Sequence, residues 1–213
     1  MKEIIATLNE TLQQLFKYEN TGHDITHLNR VFENAIKIQQ KEGGDLYVIA
    51  VSALMHDLHR LMSNQQKRYV APSESLELAK KILITCNVDL SKLDHILEVI
   101  KNHDDKENKN VTLETLIIQD ADALDSIGEI GIKRTLTYCK THNIPISSKK
   151  DLDCPEYIPD INPISTCHYV YRTMIPNARN LFTKTAQEMA KDKIKVLENF
   201  VECNYTGKYK ADS

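Results

Sequence analysis

The chain has 213 residues, with 27 lysines and arginines against 30 acidic residues and a formal net charge of -3. This balance gives no electrostatic basis for binding duplex nucleic acid or an anionic membrane, although a local basic patch is compatible with it. The length suits one large domain with a sizeable core, or two small ones. Five scattered cysteines without a CxxC pair are typical of reduced thiols, so we expect a cytoplasmic location.

Helical periodicity runs through most of the chain, and alternating strand patterns are scarce. Apolar residues spaced three and four apart predict helices over seven stretches, which lie near residues 1–16, 28–39, 46–56, 73–83, 93–103, 127–138 and 178–201. An apolar run at 113–118 leads into an acidic segment. The sequence therefore predicts an all-α fold, a single helical bundle over residues 1–203 followed by a polar tail at 204–213.

Prolines are concentrated in one part of the chain. Four of the six lie between Asn143 and Thr166, a density that argues against regular structure. We therefore expect a long proline-containing loop before the C-terminal helices. Such a loop can act as a lid over a site or serve as a surface connection, and the sequence leaves both alternatives open.

Three clusters of potential metal ligands lie at the ends of predicted helices. The first is Gly22–His27, the second is the pair His56-Asp57, and the third is Asp120–Asp125. The pair ends an apolar run, where unpaired charge is costly, so a metal ion, a local His–Asp hydrogen bond or a polar helix end would each account for it. Imidazole and carboxylate together suit a divalent cation. Two histidines and two aspartates would leave positions for water and a substrate oxygen.

The order of the motifs is more specific than any one of them. Gly-His-Asp-x-x-His-x-x-Arg-Val at 22–31 is followed by Leu-Met-His-Asp-Leu at 54–58, Ile-x-x-His at 100–103 and an Asp-Ala-Asp segment running to Arg134. This pattern resembles the HD-domain superfamily of metal-dependent phosphohydrolases, and within it the small stand-alone bacterial nucleoside triphosphate pyrophosphohydrolases. The resemblance implies an HD-type domain with a motif core at 22–134. It also implies a set of metal ligands, namely His27, His56, Asp57 and Asp122.

The chemistry of residues in and near the motifs suggests further roles. Asp57 and His103 are the catalytic candidates, Asp57 as ligand and proton acceptor and His103 as a proton shuttle. Several relatives carry an acid three or four residues after the doublet, which is missing here; Arg60 stands in that stretch and could hold a phosphate through its planar fork. Lys67 and Arg68 are further substrate-binding candidates. Each has an ordinary alternative, a surface salt bridge for Arg60, a helix cap for His103 and a solvated face for the basic pair.

One metal ion is favoured over two. Two-metal relatives carry extra histidines between the doublet and the last aspartate; His103 fits one such position, but Ser73 and Ser75 stand where another is often found. The same departure disfavours an oxygenase-type HD protein with a di-iron site. We expect Mn²⁺, with Mg²⁺, Fe²⁺, Ni²⁺ or Zn²⁺ as alternatives, because such ligands accept several ions.

The predicted function is hydrolysis of nucleotides or related phosphate esters, with nucleoside triphosphate cleavage to monophosphate and pyrophosphate as the leading reaction. Monophosphate nucleotidase and cyclic-nucleotide phosphodiesterase activities are competitors. A regulatory module that binds metal and nucleotide without turnover, and a helical protein with coincidental clusters, are the alternatives. The expected partner is a small phosphate substrate, with a homodimer as a further possibility. His23 is either an accessory to the site or a loop residue, and we interpret three other histidines as ordinary: His95, His142 and His168.

Overall fold

The computed structural model describes residues 1–19, 22–108, 110–148 and 164–204. Every regular element in these ranges is helical, which confirms the all-α prediction. The chain divides into two compact units, Met1–Asp122 and Ala123–Ser213. The single domain expected over residues 1–203 stays a prediction.

The first unit contains seven α-helices, the last of which runs three residues into the second unit. They are α1 (Lys2–Leu15), α2 (Ile25–Glu42), α3 (Leu46–Met55), α4 (Leu58–Gln66), α5 (Leu76–Thr85), α6 (Leu93–Asn102) and α7 (Leu113–Asp125). Two short 3₁₀ helices, Pro72–Ser75 and Leu90–Lys92, precede α5 and α6.

Helix α3 is the central helix of the first unit. It packs against α1, α2 and α6, and its residues from Val48 to Met55 are all buried. Asp45 begins the helix, since its carboxylate accepts hydrogen bonds from the backbone N–H groups of Tyr47 and Val48. This apolar helix carries the chain through the core and ends at Met55, so the doublet that follows lies inside the unit.

Helix α2 presents one face to the core. Its N-cap is Asp24, whose carboxylate accepts a 2.9 Å hydrogen bond from the backbone N–H of His27. Residues at helical spacing then bury the same face, beginning with His27 and Leu28 and continuing through Val31 and Ala35. The first turn of α2 thus places the imidazole of His27 among the apolar side chains of the core.

The second unit consists of helices packed on α11. Its elements are α8 (Gly128–Thr141), α9 (Thr166–Tyr169), a π-helical turn (Val170–Met174), α10 (Ile175–Arg179) and α11 (Lys184–Asn204). Helix α11 contacts α8, α9, α10 and the π-helical turn. Most of the predicted proline-containing loop, residues 149–163, lies outside the described residues, as does the tail at 205–213. Within the described ranges, no helix combines the length and the apolarity that crossing a bilayer requires.

Candidate metal centre

The carboxylate of Asp57 lies at the centre of a histidine cluster in the first unit, and it is almost completely buried. Its Oδ2 atom faces three imidazoles. His23 Nδ1 is 2.6 Å from this oxygen, His27 Nε2 is 3.2 Å from it and His56 Nε2 is 3.6 Å from it. One oxygen of a single aspartate therefore gathers side chains from the loop before α2, from α2 itself and from the end of α3.

The other oxygen of the same carboxylate, Oδ1, faces a second set of nitrogen atoms. Arg60 Nε lies 3.5 Å from it, His103 Nε2 lies 3.9 Å from it and His59 Nδ1 lies 4.0 Å from it. His59 and His103 are buried, with their ring centroids 5.3 Å apart. Asp57 is thus shared between two groups of potential ligands.

Asp122 completes the predicted set from α7. Its Oδ1 atom is 3.5 Å from His27 Nε2, and its side chain is 34% exposed. One ligand atom each from His27, His56 and Asp122 lies within 4.8 Å of the others, and the same holds for His23, His27 and Asp57. The structure therefore brings the four predicted ligands together, three of them buried and one reaching solvent.

Backbone hydrogen bonds fix the tautomers of two of these histidines. His56 Nδ1 lies 2.8 Å from the carbonyl oxygen of Ala53, and His103 Nδ1 lies 2.7 Å from that of Ile100. A carbonyl only accepts, so each Nδ1 carries the hydrogen and each neutral ring keeps its lone pair on Nε2. Both lone pairs face oxygens of Asp57, which are also acceptors.

Two acceptor atoms that face each other, His56 Nε2 and Asp57 Oδ2, show whether this site fits a cation. His56 Nε2 is buried and has no hydrogen-bond partner among the described residues. Its lone pair and Asp57 Oδ2 are 3.6 Å apart, and a positive charge between them would satisfy both. Neutral imidazole nitrogen with carboxylate oxygen is a donor set that fits a divalent transition-metal ion.

The charges of the cluster agree with this fit. Burial by itself raises the pKa of Asp57, but the neighbouring imidazoles of His56, His23 and His27 outweigh it, so this pKa lies well below its usual range. Burial lowers the pKa of His56 despite the nearby carboxylates, and it lowers the pKa of His59 to about 4. At neutral pH the centre therefore holds an ionised Asp57 beside the neutral imidazoles of His56 and His59, and a deprotonated carboxylate and a neutral imidazole are the forms that bind metal.

The other predicted site residues divide into two pairs. Arg60 and His103 lie at the cluster, and Arg60 Nη2 is also 3.9 Å from Asp104 Oδ2. Lys67 is exposed and ends α4 in the left-handed conformation. Arg68 forms an exposed ion pair with Glu74 at 2.7 Å. No described contact joins Lys67 or Arg68 to the Asp57 cluster, so their substrate-binding role stays a prediction without support from this geometry.

Sequence reasoning gave His59 no role in the centre and left His23 as either an accessory or a loop residue. His23 makes the shortest contact with Asp57, and Glu19 supports it by accepting hydrogen bonds from the His23 backbone N–H and from the Asn64 amide. His59 follows the doublet by two residues and is fully buried. The available signal was proximity in the chain to a predicted ligand. His23 lies four residues before His27, and His59 lies two residues after Asp57.

Comparisons with known proteins agree with the family that the motif order indicates. The HD domain model matches residues 24–127. Over 145 residues the chain is 30% identical to the uncharacterized protein YpgQ of Bacillus subtilis, a match that covers 65% of this chain and 68% of YpgQ. The chain belongs to the HD-domain superfamily.

Solved structures show that the likeness extends over nearly the whole fold. Lin1889 of Listeria innocua is 30% identical with a TM-score of 0.71, covering 95% of this chain and 93% of that one. An HD-superfamily hydrolase from Bacillus thuringiensis is 24% identical with a TM-score of 0.72, at 95% coverage of both chains. YpgQ in a crystal structure with ADP has a TM-score of 0.72 at 21% identity, again covering 95% of both.

Proposed function

We propose that this protein is a metal-dependent phosphohydrolase acting on nucleotides, with cleavage of nucleoside triphosphate to monophosphate and pyrophosphate as the leading reaction. The observation that carries the proposal is the pair of facing acceptors, His56 Nε2 and Asp57 Oδ2, in a buried cluster. Membership in the HD superfamily supports hydrolysis of phosphate esters. The ADP complex of YpgQ supports a nucleotide as substrate.

His27, His56, Asp57 and Asp122 would hold one divalent ion, with Mn²⁺ as the first candidate. When bound, such an ion polarises a phosphoryl group and acidifies water. Asp122 is the member of the set that reaches solvent, so a substrate phosphate would approach the centre from its side.

The remaining residues act on the water and on the phosphate chain. His103 Nε2, whose lone pair is fixed by the Ile100 hydrogen bond, takes the proton from the attacking water. Asp57 Oδ1 lies 3.9 Å from that nitrogen, and its negative charge would stabilise the imidazolium that forms when His103 takes the proton. His23 holds Asp57 from the opposite side through the 2.6 Å contact with Oδ2. Asp57 thus both contributes negative charge and sets the position of its neighbours.

Arg60 is the proposed phosphate-binding residue. Its guanidinium lies between Asp57 and Asp104 and is 32% exposed, so it reaches both the centre and the solvent. A planar guanidinium can bind two phosphate oxygens at once. A divalent ion held by Asp57 would neutralise this carboxylate, which would leave the charge of Arg60 available to the phosphate. This position compensates in part for the missing acid after the doublet, because it neutralises charge on the substrate.

The test is a metal and substrate panel on the purified protein. Wild type is expected to release pyrophosphate from nucleoside triphosphates with Mn²⁺, and Asp57→Ala is not. Asp192→Ala, on the exposed face of α11, is the matched control and should turn over like wild type. Release of inorganic phosphate in place of pyrophosphate would change the assigned reaction, and equal turnover by Asp57→Ala and wild type would contradict the mechanism.

A second candidate function is a regulatory module that binds metal and nucleotide without turning it over. The observation that favours it is the absence of an acid at positions 60 and 61, where Arg60 and Leu61 stand. Nucleotide-dependent thermal stabilisation without hydrolysis across the same panel is the result this alternative predicts. The cytoplasmic location and the homodimer stay predictions of the sequence.

A further inference from the structure

The second unit contains a buried histidine that the metal centre does not use. His168 is 3% exposed, and neither of its ring nitrogens has a hydrogen-bond partner among the described residues. An imidazole carries at least one N–H, and leaving a buried donor unmet is costly. The backbone N–H of His168 donates to Ser165 Oγ at 3.0 Å, which caps the short helix that carries the residue.

Arg172 follows His168 by four residues, inside the π-helical turn. In that turn the N–H of Ile175 donates to the carbonyl oxygen of Val170, five residues earlier. Pro176 offers a reason for the wider turn, because it has no N–H and its ring would crowd the carbonyl of Arg172 in an α-helix. Residues four apart are neighbours on the surface of a helix, which holds for His168 and Arg172 across this junction. The spacing therefore puts Arg172 and His168 on the same side of the segment.

Within the described part of the chain, Arg172 lacks the carboxylate partner that other arginines of the second unit have. Its Nε atom is buried without a hydrogen-bond partner among the described residues, and its guanidinium lies 4.9 Å from the ring centroid of Tyr171. By contrast, Arg134 and Arg179 each have a carboxylate within 3.7 Å. Side chains on a helix point back toward its N-terminus, and His168 lies in that direction from Arg172.

We propose that His168 and Arg172 form an oxyanion-binding site in the second unit, whose ligand is a phosphate group. The permanent positive charge of Arg172 excludes a metal ion and favours an anion. His168 supplies a ring N–H, and Arg172 supplies Nε–H and its planar fork, so phosphate oxygens would accept from both. Thr173 Oγ1, also buried without a described partner, is the adjacent hydroxyl that can add a third donor.

This site is independent of the proposed hydrolysis. None of its residues belongs to the HD motifs, and phosphate binding to it requires neither the metal ion nor turnover. It can therefore be tested on metal-free protein, in which the Asp57 centre has no cation to attract phosphate. A negative result here leaves the proposed function standing, and failure of that function leaves this site standing.

The experiment titrates inorganic phosphate into the full-length, chelator-treated protein while NMR follows the ¹⁵N-labelled histidine rings. The expected result is a saturable shift of the His168 ring signals, assigned by their loss in His168→Asn. Sodium chloride at matched ionic strength should not reproduce it. Arg172→Gln is expected to weaken binding about tenfold or more, because a charge-assisted hydrogen bond is lost.

Two further variants keep the test decisive. Arg179→Gln, which removes an exposed arginine paired with Glu198, should bind phosphate within about twofold of wild type. Arg172→Lys keeps the charge without the fork and should bind between wild type and Arg172→Gln, which also covers the case in which the glutamine variant does not fold. An unmoved His168 signal, the same shift with chloride, or equal binding by Arg172→Gln and Arg179→Gln would each overturn the proposal.

Discussion

His56 at the end of α3 and His168 in the second unit are both buried imidazoles with opposite surroundings. His56 commits Nδ1 to a backbone carbonyl and turns the lone pair of Nε2 toward a carboxylate. His168 commits neither nitrogen among the described residues and is followed one turn later by an arginine. A fixed lone pair beside an anion favours a cation, whereas an uncommitted ring beside a cation favours an anion. Burial alone therefore says little about a histidine, and its partners decide which charge it can bind.

The largest expected effect tests the cation side of this comparison. Asp57→Asn keeps the shape of the side chain but removes the charge that both groups of ligands share. We expect kcat/KM with Mn²⁺ to fall by at least about 100-fold and bound metal to be lost, since even residues that only support ligands cost 10- to 100-fold. Turnover and elemental analysis measure the two effects, with Asp192→Asn as the control. Full metal content in Asp57→Asn would remove Asp57 from the ligand set.

Exchanging the two histidines for alanine tests the comparison directly. Mn²⁺ at about 100 times its dissociation constant should stabilise wild type by about 2.7 kcal/mol, and His168→Ala by the same amount. His56→Ala should show almost none of this gain. Each variant is compared with and without metal in thermal unfolding, so the packing lost with the ring cancels. An equal loss of the metal response in both variants would contradict the division between the two regions.

The pH dependence of stability sharpens the contrast within the first unit. Burial lowers the pKa of His59 to about 4 from an ordinary value of 6.5. Between these pH values His59 is protonated in the unfolded chain and neutral in the folded chain. The free energy of unfolding of metal-free protein should therefore fall as pH drops below about 6.5, and this contribution should level off below about 4. Urea unfolding from pH 7.5 to 5 measures it. His59→Gln should flatten the slope, while the exposed His142→Gln should retain it.

The smallest expected effect is that of Arg68→Gln, outside the centre, and it is compared with Arg60→Gln at the centre. Arg68→Gln breaks an exposed pair with Glu74, so we expect a change in unfolding free energy within about 0.5 kcal/mol and KM within about twofold of wild type. Arg60→Gln should raise KM for the nucleotide about tenfold, because a charged hydrogen bond to phosphate is lost. Steady-state kinetics on both variants decide the matter. A larger KM change in Arg68→Gln than in Arg60→Gln would return substrate binding to the basic pair.

Local sequence was sufficient for much of the fold because the strongest signals are local. The apolar run from Leu46 to Met55 predicts α3, and the structure has this helix. Helix α4 was not predicted, since Leu58–Gln66 contains few apolar residues to set a period. The π-helical turn was missed as well, because it follows from Pro176 in a short helical segment that a periodicity argument treats as irregular.

The candidate site shows the same limit. Motif order predicted which residues gather, and the geometry brings the side chains of His27, His56, Asp57 and Asp122 together; that they bind metal stays a prediction. The sequence did not show that the two oxygens of Asp57 face different partners, with His23 on one side and His59 on the other. Such facts depend on segments tens of residues apart, and helical spacing carries no information about them.

The hydrogen bond from His56 Nδ1 to the Ala53 carbonyl has a consequence for how the first unit comes apart. The last carbonyls of a helix have no partner within it, and helix ends are where opening begins. Here the ring closes the final turn of the central helix while its other nitrogen faces Asp57. A metal ion bound to His56 would therefore stabilise that turn, and removing the ion with a chelator would let the C-terminal end of α3 open more often. Amide hydrogen exchange at the end of α3 would then report how much of the protein holds metal.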